Sequence, residues 1–416
     1  MPGQESFYDL KKIFLQSGTY GCITIVAGAG AAQGSGGMKN MATLEELRRQ
    51  LDEVDDEMVR LFEKRMSICE QVGEYKVGCG RKVFDRQREA GKLADVAGKA
   101  STEFNKKGIR ELYQQLMSMS RKLQYQQLVK AGTLGRLPFI EMPSIDMENV
   151  RIVFQGTEGA YSQAAMHNYF GKDCNSFHVN TFREAMEAIE EGAADYAVLP
   201  IENAIAGAVN EVYDLLAEFE NYIVGETILP VKHTLCGLKG ASISDIGQVY
   251  SKAEALMQTS RFLNSHPDWQ QISVANTAVA AKKILEDADK SQAAVCSAYA
   301  ADIYGLSVLS EDINDENDNS TRFIVVTNQK VFSKAAKKIS ICFELPHEPA
   351  SLYQLLSHFV YNNLNMTKIE SRPVEGKNWE YRFFIDFDGN LADPAVKNAI
   401  RGLREESRNL RIFGNY

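Results

Sequence analysis

The sequence reads as three domains of different class in one chain: an all-α bundle, a two-lobed α/β unit and a small α+β unit of βαββαβ order. Three observations carry that reading. An apolar stripe at helical spacing runs from Leu44 to Val72, strand and helix signals alternate from Val150 onward, and a second series of different order begins at Lys338. The length agrees, because 416 residues at about 150 per domain gives roughly three. The expected boundaries are 1–40 for a leader, 41–130 for the bundle, 131–149 for a linker, 150–330 for the α/β unit and 338–416 for the last domain.

The stripe of the first helix runs Leu44, Leu47, Leu51, Val54, Met58, Leu61, and its next slot is Arg65, after which Ile68 and Val72 resume it. With no Pro or Gly before Gly73, this predicts one long amphipathic helix packed on others. A guanidinium in that seam must be paired, because an unpaired buried charge is costly. Lys76 lies eleven residues on and points the same way about three turns later. Asp85, Arg88 and Glu89 sit at i, i+3 and i+4 on a second helix, and Ser120 and Gln124 share a face of a third, over Ile109–Val129. Three helices thus offer polar groups to one interior suited to an anionic ligand. Arg48, about 25 Å before Arg65 along the axis and about 100° off its face, suits only another subunit's site. A solvated helix surface accounts equally well for any single one of these cations.

Leu47-Arg48, Glu63-Lys64-Arg65, Val72 to Lys76, Asp85 with Arg88-Glu89, and Ser120 with Gln124 resemble the all-helical chorismate mutases. In that family three helices per chain intertwine into a homodimer, and an arginine of the first helix crosses to the neighbour's site. The resemblance implies that Arg48 from the partner, Arg65 and Arg88 hold two carboxylates, and that Lys76 and Gln124 bind the ether oxygen. It implies that Asp85, Glu89 and Ser120 hold the substrate hydroxyl and its surroundings. The rearrangement is pericyclic and needs no cofactor; catalysis would come from holding the compact conformer and stabilising charge on the ether oxygen.

A hydrophobic fraction of 44% and a net charge of −9 describe a soluble globular protein without a broad basic face for nucleic acid. Seven cysteines form no C-x-x-C pair and histidines are scattered, so reduced, mostly buried thiols and no metal are expected in a cytoplasmic protein. In the leader, Cys22 to Val26 followed by Gly28-Ala29-Gly30 imitates a dinucleotide turn, but the crossover helix and second strand do not follow. Polar breaks at Gln16, Ser17 and Thr19 weaken a secretory signal. The leader reads as translated upstream sequence or an added segment, with the start at Met38 or Met41.

Ala131 to Asn149, with Gly132, Gly135, Pro138 and Pro143, reads as a linker. A strand at Val150–Phe154, a turn at Gly156 and Gly159, and a helix near Gln163 capped by Ser162 would form an anion site. The alternation continues with the helix Phe182–Glu191, the strand Tyr196–Leu199, a helix after Asn210, a strand at Val249-Tyr250, helices Ala253–Asn264 and Ala278–Glu286, and the strand Ala293–Cys296. That length allows two lobes and a cleft. Pro200-Ile201-Glu202-Asn203 ends a buried strand, and Asn319 to Phe323 precedes the strand Ile324–Val326. A Thr-Arg pair there combines a hydroxyl donor with a carboxylate clamp, although a polar turn reads the same way.

Gly156 to Ser162, Pro200 to Asn203, Gln258, Asn276 to Ala278, Tyr304 to Leu306 and Asn319 to Phe323 together resemble prephenate dehydratase. The resemblance implies loss of the ring hydroxyl and a carboxylate from prephenate to give phenylpyruvate, with Thr321 as donor. Glu202, Asn203 and Gln258 would position the substrate, Arg322 would anchor a carboxylate, and Phe323 belongs to the same motif. From Lys338, strands at 339–343, 366–370, 381–387 and 410–413 and helices Ser351–Asn362 and Pro394–Arg408 complete βαββαβ. This resembles the ferredoxin-like ACT domain, which binds phenylalanine. Glu370-Ser371-Arg372-Pro373 matches one effector motif in full; Ala350-Ser351-Leu352-Tyr353 stands where Gly-Ala-Leu-Val is usual. Alanine adopts a positive φ only at a cost. The resemblances imply a bifunctional chorismate mutase and prephenate dehydratase, at least dimeric, with phenylalanine bound between regulatory domains. The alternatives are a dehydratase with a structural helical domain and a non-catalytic sensor of aromatic metabolites.

Overall fold

The computed structural model describes residues 42–131, 137–345, 348–374, 376–377 and 379–416. The leader, with Cys22 and its glycine turn, and the linker glycines Gly132 and Gly135 lie outside the described residues. The chain divides into two compact units between Phe62 and Glu63.

Helix α1 runs Leu44–Cys79, α2 Arg86–Gly98 and α3 Glu103–Lys130. The first passes through Gly73 rather than stopping there. Gly73 is buried, and a Cβ on it would meet the Gln127 and Gln124 side chains of α3, so the two helices approach closely at that point. Val83, Tyr125 and Leu128 form a small core beneath it.

The α/β unit has two sheets. The second lobe's sheet orders Ser307–Ser310, Thr234–Gly237, Gln292–Cys296, Gln248–Ser251 and Gln270–Ser273. The first lobe belongs to a ten-stranded sheet that runs on into the C-terminal domain. Its order is Met366–Pro373, Tyr381–Asp388, Lys338–Glu344, Arg408–Asn415, Tyr222–Pro230, Ser320–Thr327, Tyr196–Asn203, Arg151–Gln155 and Asn175–Val179, with the short Gly207–Ala208 beside Tyr196–Asn203. The chain leaves the first lobe after Tyr222–Pro230 and returns at Ser320. Both lobe crossings therefore lie beside the Thr321 segment. The C-terminal domain has the predicted βαββαβ order, with helices Ser351–Tyr361 and Pro394–Glu406 on its sheet.

Several elements differ from expectation. Tyr222–Pro230, central to the large sheet, was not anticipated. Ser162 does not cap its helix: the helix is Tyr161–Phe170, Ala160 precedes it, and Ser162 is buried inside it. The predicted helix Ala253–Asn264 is two short ones, Ala253–Met257 and Ser260–Asn264. The second starts where the Asp315 carboxylate accepts from Ser260 N and Arg261 N at 3.0 and 2.9 Å, satisfying amides that a continuous helix would have used itself. Asn319 to Phe323 is not a turn before an edge strand, since Ser320–Thr327 is one strand paired on both sides. Of the described cysteines, Cys236, Cys296 and Cys342 are buried and Cys79 is exposed.

The C-terminal domain joins the first lobe through the parallel pairing Gly414 with Ile223. A Cβ at Gly414 would collide with the carbonyl oxygen and backbone of Ile223, which cannot yield as a side chain can. Gly414→Ala is expected to destabilise the chain by about 1–3 kcal/mol through overpacking, read as a lowered urea midpoint. An unchanged midpoint would contradict the close approach.

Candidate active sites

In the helical domain, Arg65 Nη1 donates to Leu116 O at 3.0 Å and to Ser120 Oγ at 2.5 Å, and Ser120 in turn donates to Leu116 O at 2.6 Å. Arg65 thus meets α3 through neutral oxygens rather than a carboxylate, while Leu61 and Ile68, its neighbours in the stripe, are 51% and 52% exposed rather than packed in a seam. Lys76 Nζ donates to Val83 O at 2.6 Å. Burial, aided by the positive charge of Arg88, lowers the Lys76 ammonium from its ordinary range, while Asp85 and Glu89 oppose that shift. Gln124 is buried and its Oε1 has no partner. Gln124 lies one turn after Ser120 on α3, so its orphaned oxygen is a buried acceptor left for a donor.

Two residues have other work than expected. Asp85 is the N-cap of α2, its Oδ1 accepting from Arg88 N at 3.0 Å, so one of its oxygens is committed to the helix. Glu89 pairs with Arg121. Arg88 is exposed. Arg48 lies in the other unit, on the exposed surface of α1.

In the α/β unit, Asn203 is in register with Thr321, and Glu202 with Arg322. Asn203 Oδ1 accepts from Ile205 N and Ala206 N at 3.0 and 2.8 Å, which fixes the orientation of its amide. Its Nδ2 therefore faces Thr321 Oγ1 at 3.0 Å and Asn319 Oδ1 at 2.7 Å. The polarity propagates: Asn319 Nδ2 donates to Gln258 Oε1 at 3.2 Å, and His233 Nε2 lies 3.1 Å from that same oxygen. An amide oxygen only accepts, so His233 carries its proton on Nε2. Burial lowers its pKa, with Gln258 opposing. Thr321 has a lone pair occupied by Asn203, which leaves its own proton to point elsewhere. Gln258 and Asn319 line a cavity of about 500 Å³ together with Arg261 and Ala206.

Strand alternation puts Arg322 on the other face. Its Nη2 donates to Asp386 Oδ2 at 2.7 Å and its Nη1 to Glu226 Oε2 at 3.3 Å, with Glu202 Oε2 3.7 Å from Nε. Burial would lower its pKa, but Asp386 together with Tyr416 and Tyr213 outweighs this and raises it. The Arg322 side chain is 13% exposed and lies among three carboxylates, one of them from the C-terminal domain, which already compensate the charge that the resemblance assigned to a substrate carboxylate. Glu202 likewise faces away from Thr321 and pairs with Lys368 Nζ at 2.7 Å. Phe323 is 2% exposed in the core with Phe154 and Val325, a packing residue rather than a site residue. His233, Asn319 and Arg261 were not among the expected site residues; the one signal was for Asn319, which opens the motif Asn319 to Phe323.

In the C-terminal domain, Ala350 holds φ 63 at the start of the helix Ser351–Tyr361, the conformation that glycine adopts more cheaply. Ser351 and Leu352 line a cavity of about 490 Å³ with Trp379, Tyr381 and Phe383. Glu370, Ser371, Arg372 and Pro373 lie on the edge strand Met366–Pro373, outside that lining, and Arg372 pairs with Asp214 at 2.6 Å. One chain does not bring the two motifs into one cavity.

A family model described as chorismate mutase type II matches residues 47–125, and one described as prephenate dehydratase matches 152–331. The bifunctional chorismate mutase/prephenate dehydratase of Aquifex aeolicus is 30% identical over 378 residues, covering 90% of this chain and 98% of its own length. The chain belongs to the bifunctional chorismate mutase/prephenate dehydratases. It converts chorismate to prephenate and prephenate to phenylpyruvate, carbon dioxide and water. The alternatives of a purely structural bundle and of a non-catalytic sensor therefore fall away. Arogenate dehydratase/prephenate dehydratase 2 of Arabidopsis thaliana is 37% identical over 278 residues, 64% of this chain and 72% of its own length. The solved prephenate dehydratase of Arthrobacter aurescens in complex with L-Phe is 32% identical with a TM-score of 0.60, covering 64% of this chain and 89% of that one. Among the described residues no helix is long and apolar enough to cross a membrane.

Two outcomes follow from the geometry. Asn203→Asp sets a carboxylate oxygen against Thr321 Oγ1, so the hydroxyl proton turns toward it; dehydratase kcat is expected to fall about 100-fold with KM little changed, and steady-state kinetics on prephenate check this. The lowered Lys76 pKa means that the required ammonium is lost at a lower pH than for an ordinary lysine at 10.5. The alkaline limb of the mutase kcat/KM profile should lie below that value and move upward in Arg88→Gln, which removes the repelling charge.

Proposed function

We propose that the two reactions use separate sites with the following roles. In the mutase, Arg65 and Arg88 with Arg48 of a second copy hold the two carboxylates of chorismate, Lys76 and Gln124 meet the ether oxygen, and Ser120 and Glu89 flank the hydroxyl. The meeting of Arg65 with Ser120 and the closeness of Lys76 to Arg88, Asp85 and Glu89 support this reading. The second copy is supported by α1 itself, where Leu44, Leu51 and Val54 are 64%, 62% and 55% exposed. A stripe of that length is a cost in water and a seam when paired.

In the dehydratase, Thr321 gives its proton to the departing ring hydroxyl as the carboxylate C–C bond breaks. The electron pair of that bond completes the aromatic ring, water leaves, and solvent returns a proton to Thr321. The single observation that carries this is the Asn203 amide, oriented by two backbone N–H groups, donating to Thr321 Oγ1. Arg261, in the wall of the adjoining cavity, takes over from Arg322 as the cation for a substrate carboxylate.

The C-terminal domain is an ACT domain that binds phenylalanine between two copies and inhibits the dehydratase. Its βαββαβ order, the Glu370–Pro373 motif and the solved relative's complex with L-Phe support this. The two motifs lie apart in one chain and would complete one another across a pair. Inhibition requires that phenylalanine prefer a less active arrangement.

A chorismate-feeding time course on full-length protein tests the assignment. Wild type is expected to release phenylpyruvate, Arg65→Ala to stop at chorismate, and Thr321→Ala to accumulate prephenate. Phenylpyruvate from Thr321→Ala at the wild-type rate would overturn the donor role.

A further inference from the structure

We propose that Arg121 is a positioning residue of the mutase centre, holding Glu89 through an ion-paired bridge whose other end, Glu406, belongs to the C-terminal domain. The proposal rests on the mutase reading of the helical domain given above.

Arg121 follows Ser120 on α3, and its side chain is 6% exposed. Its guanidinium fork is divided between two carboxylates. Nε and Nη2 reach Glu406 Oε1 and Oε2 at 2.8 and 3.2 Å, while Nη1 donates to Glu89 Oε2. The Phe84 ring lies beneath it, 4.8 Å from Cζ to centroid. A planar donor set suits this sharing and a lysine would not.

The acids at the far end are placed against local preference. Glu405 and Glu406 occupy the last turn of the helix Pro394–Glu406, where the helix dipole disfavours negative charge. They meet donors instead. Glu405 Oε2 accepts from Tyr125 Oη at 2.9 Å and from Phe84 N at 3.4 Å, and His358 Nε2 lies 3.2 Å from Glu406 Oε1. Burial would raise the Glu406 carboxyl, but His358 and Arg121 outweigh it and hold it at about 2. Glu406 therefore stays a charged anchor.

The bridge bears on mutase residues at two points. Phe84 N is fixed to Glu405 next to Val83, whose carbonyl receives Lys76. Glu89 is engaged through Oε2, and its charge is felt at Lys76, so Arg121 sets where that charge sits relative to the ammonium. Without Arg121 the Glu89 side chain, 22% exposed, is free to turn into water.

The test uses the full chain and both activities in the same sample. Arg121→Leu is expected to lower mutase kcat/KM at least tenfold while dehydratase kcat/KM stays within twofold, which also reports that the protein is folded. Glu406→Gln, which keeps shape and weakens the anchor, should produce a smaller mutase loss. In a Glu89→Gln background the Arg121→Leu effect should shrink to within threefold, because the partner through which it acts is gone. The proposal is overturned if Arg121→Leu leaves or raises mutase activity, if both activities fall together, or if the loss is undiminished in Glu89→Gln. Failure of wild type to convert chorismate would overturn the mutase reading itself, a result distinct from these.

Discussion

The guanidinium of Arg322 is the interaction on which the dehydratase half is organised. It is nearly buried, and its charge is neutralised by Glu202 and Glu226 of its own lobe and by Asp386 of the C-terminal domain. Removing a partner from such a cluster typically costs about 3–5 kcal/mol, because an uncompensated charge stays behind. Ser340 Oγ donates to Asp386 at 2.6 Å and lies 2.8 Å from Tyr416 Oη, which satisfies the Asp386 oxygen that Arg322 does not use. Strand geometry then dictates the rest. With Arg322 turned to the C-terminal domain, Thr321 must face the other way, toward Asn203.

That division lets one strand serve two purposes without conflict. On one face a chain of oriented amides, set by the backbone N–H groups of Ile205 and Ala206, runs through Asn203, Asn319 and Gln258 to His233. No charge is needed to fix its direction. On the other face, Arg322, Lys368 and Arg372 pair with carboxylates across the domain junction. Lys368 and Arg372 lie on the edge strand Met366–Pro373. Those two cations tie the strand to Glu202 and to Asp214 on the helix Asn210–Glu218.

Legibility in the sequence followed the range of the interactions. The α1 stripe was readable because helical periodicity is local, and Arg65 stood out because it broke the period. The Thr321-Arg322 pair was readable as chemistry, but which residue faces the substrate depends on register with Asn203 and Glu202, 118 residues away for Thr321. The strand Tyr222–Pro230 was missed because Gly225 and Glu226 interrupt its apolar run; Gly225 is needed where the Tyr169 hydroxyl packs against the backbone. The helix break at Gln258 depends on Asp315, and Arg121 depends on Glu406, 285 positions on. Neither partner leaves a local trace. The ACT-like domain was legible as an order of elements, yet Ala350 takes the left-handed conformation where glycine is cheaper.

In the proposed division, Thr321 serves the substrate and Arg322 the domain junction. A crystal structure of the full chain with phenylpyruvate bound tests it most directly. The account predicts the ligand on the Asn203, Gln258 and Thr321 face, with Arg322 still on Asp386. A ligand carboxylate seated on Arg322, with Asp386 released, would contradict it.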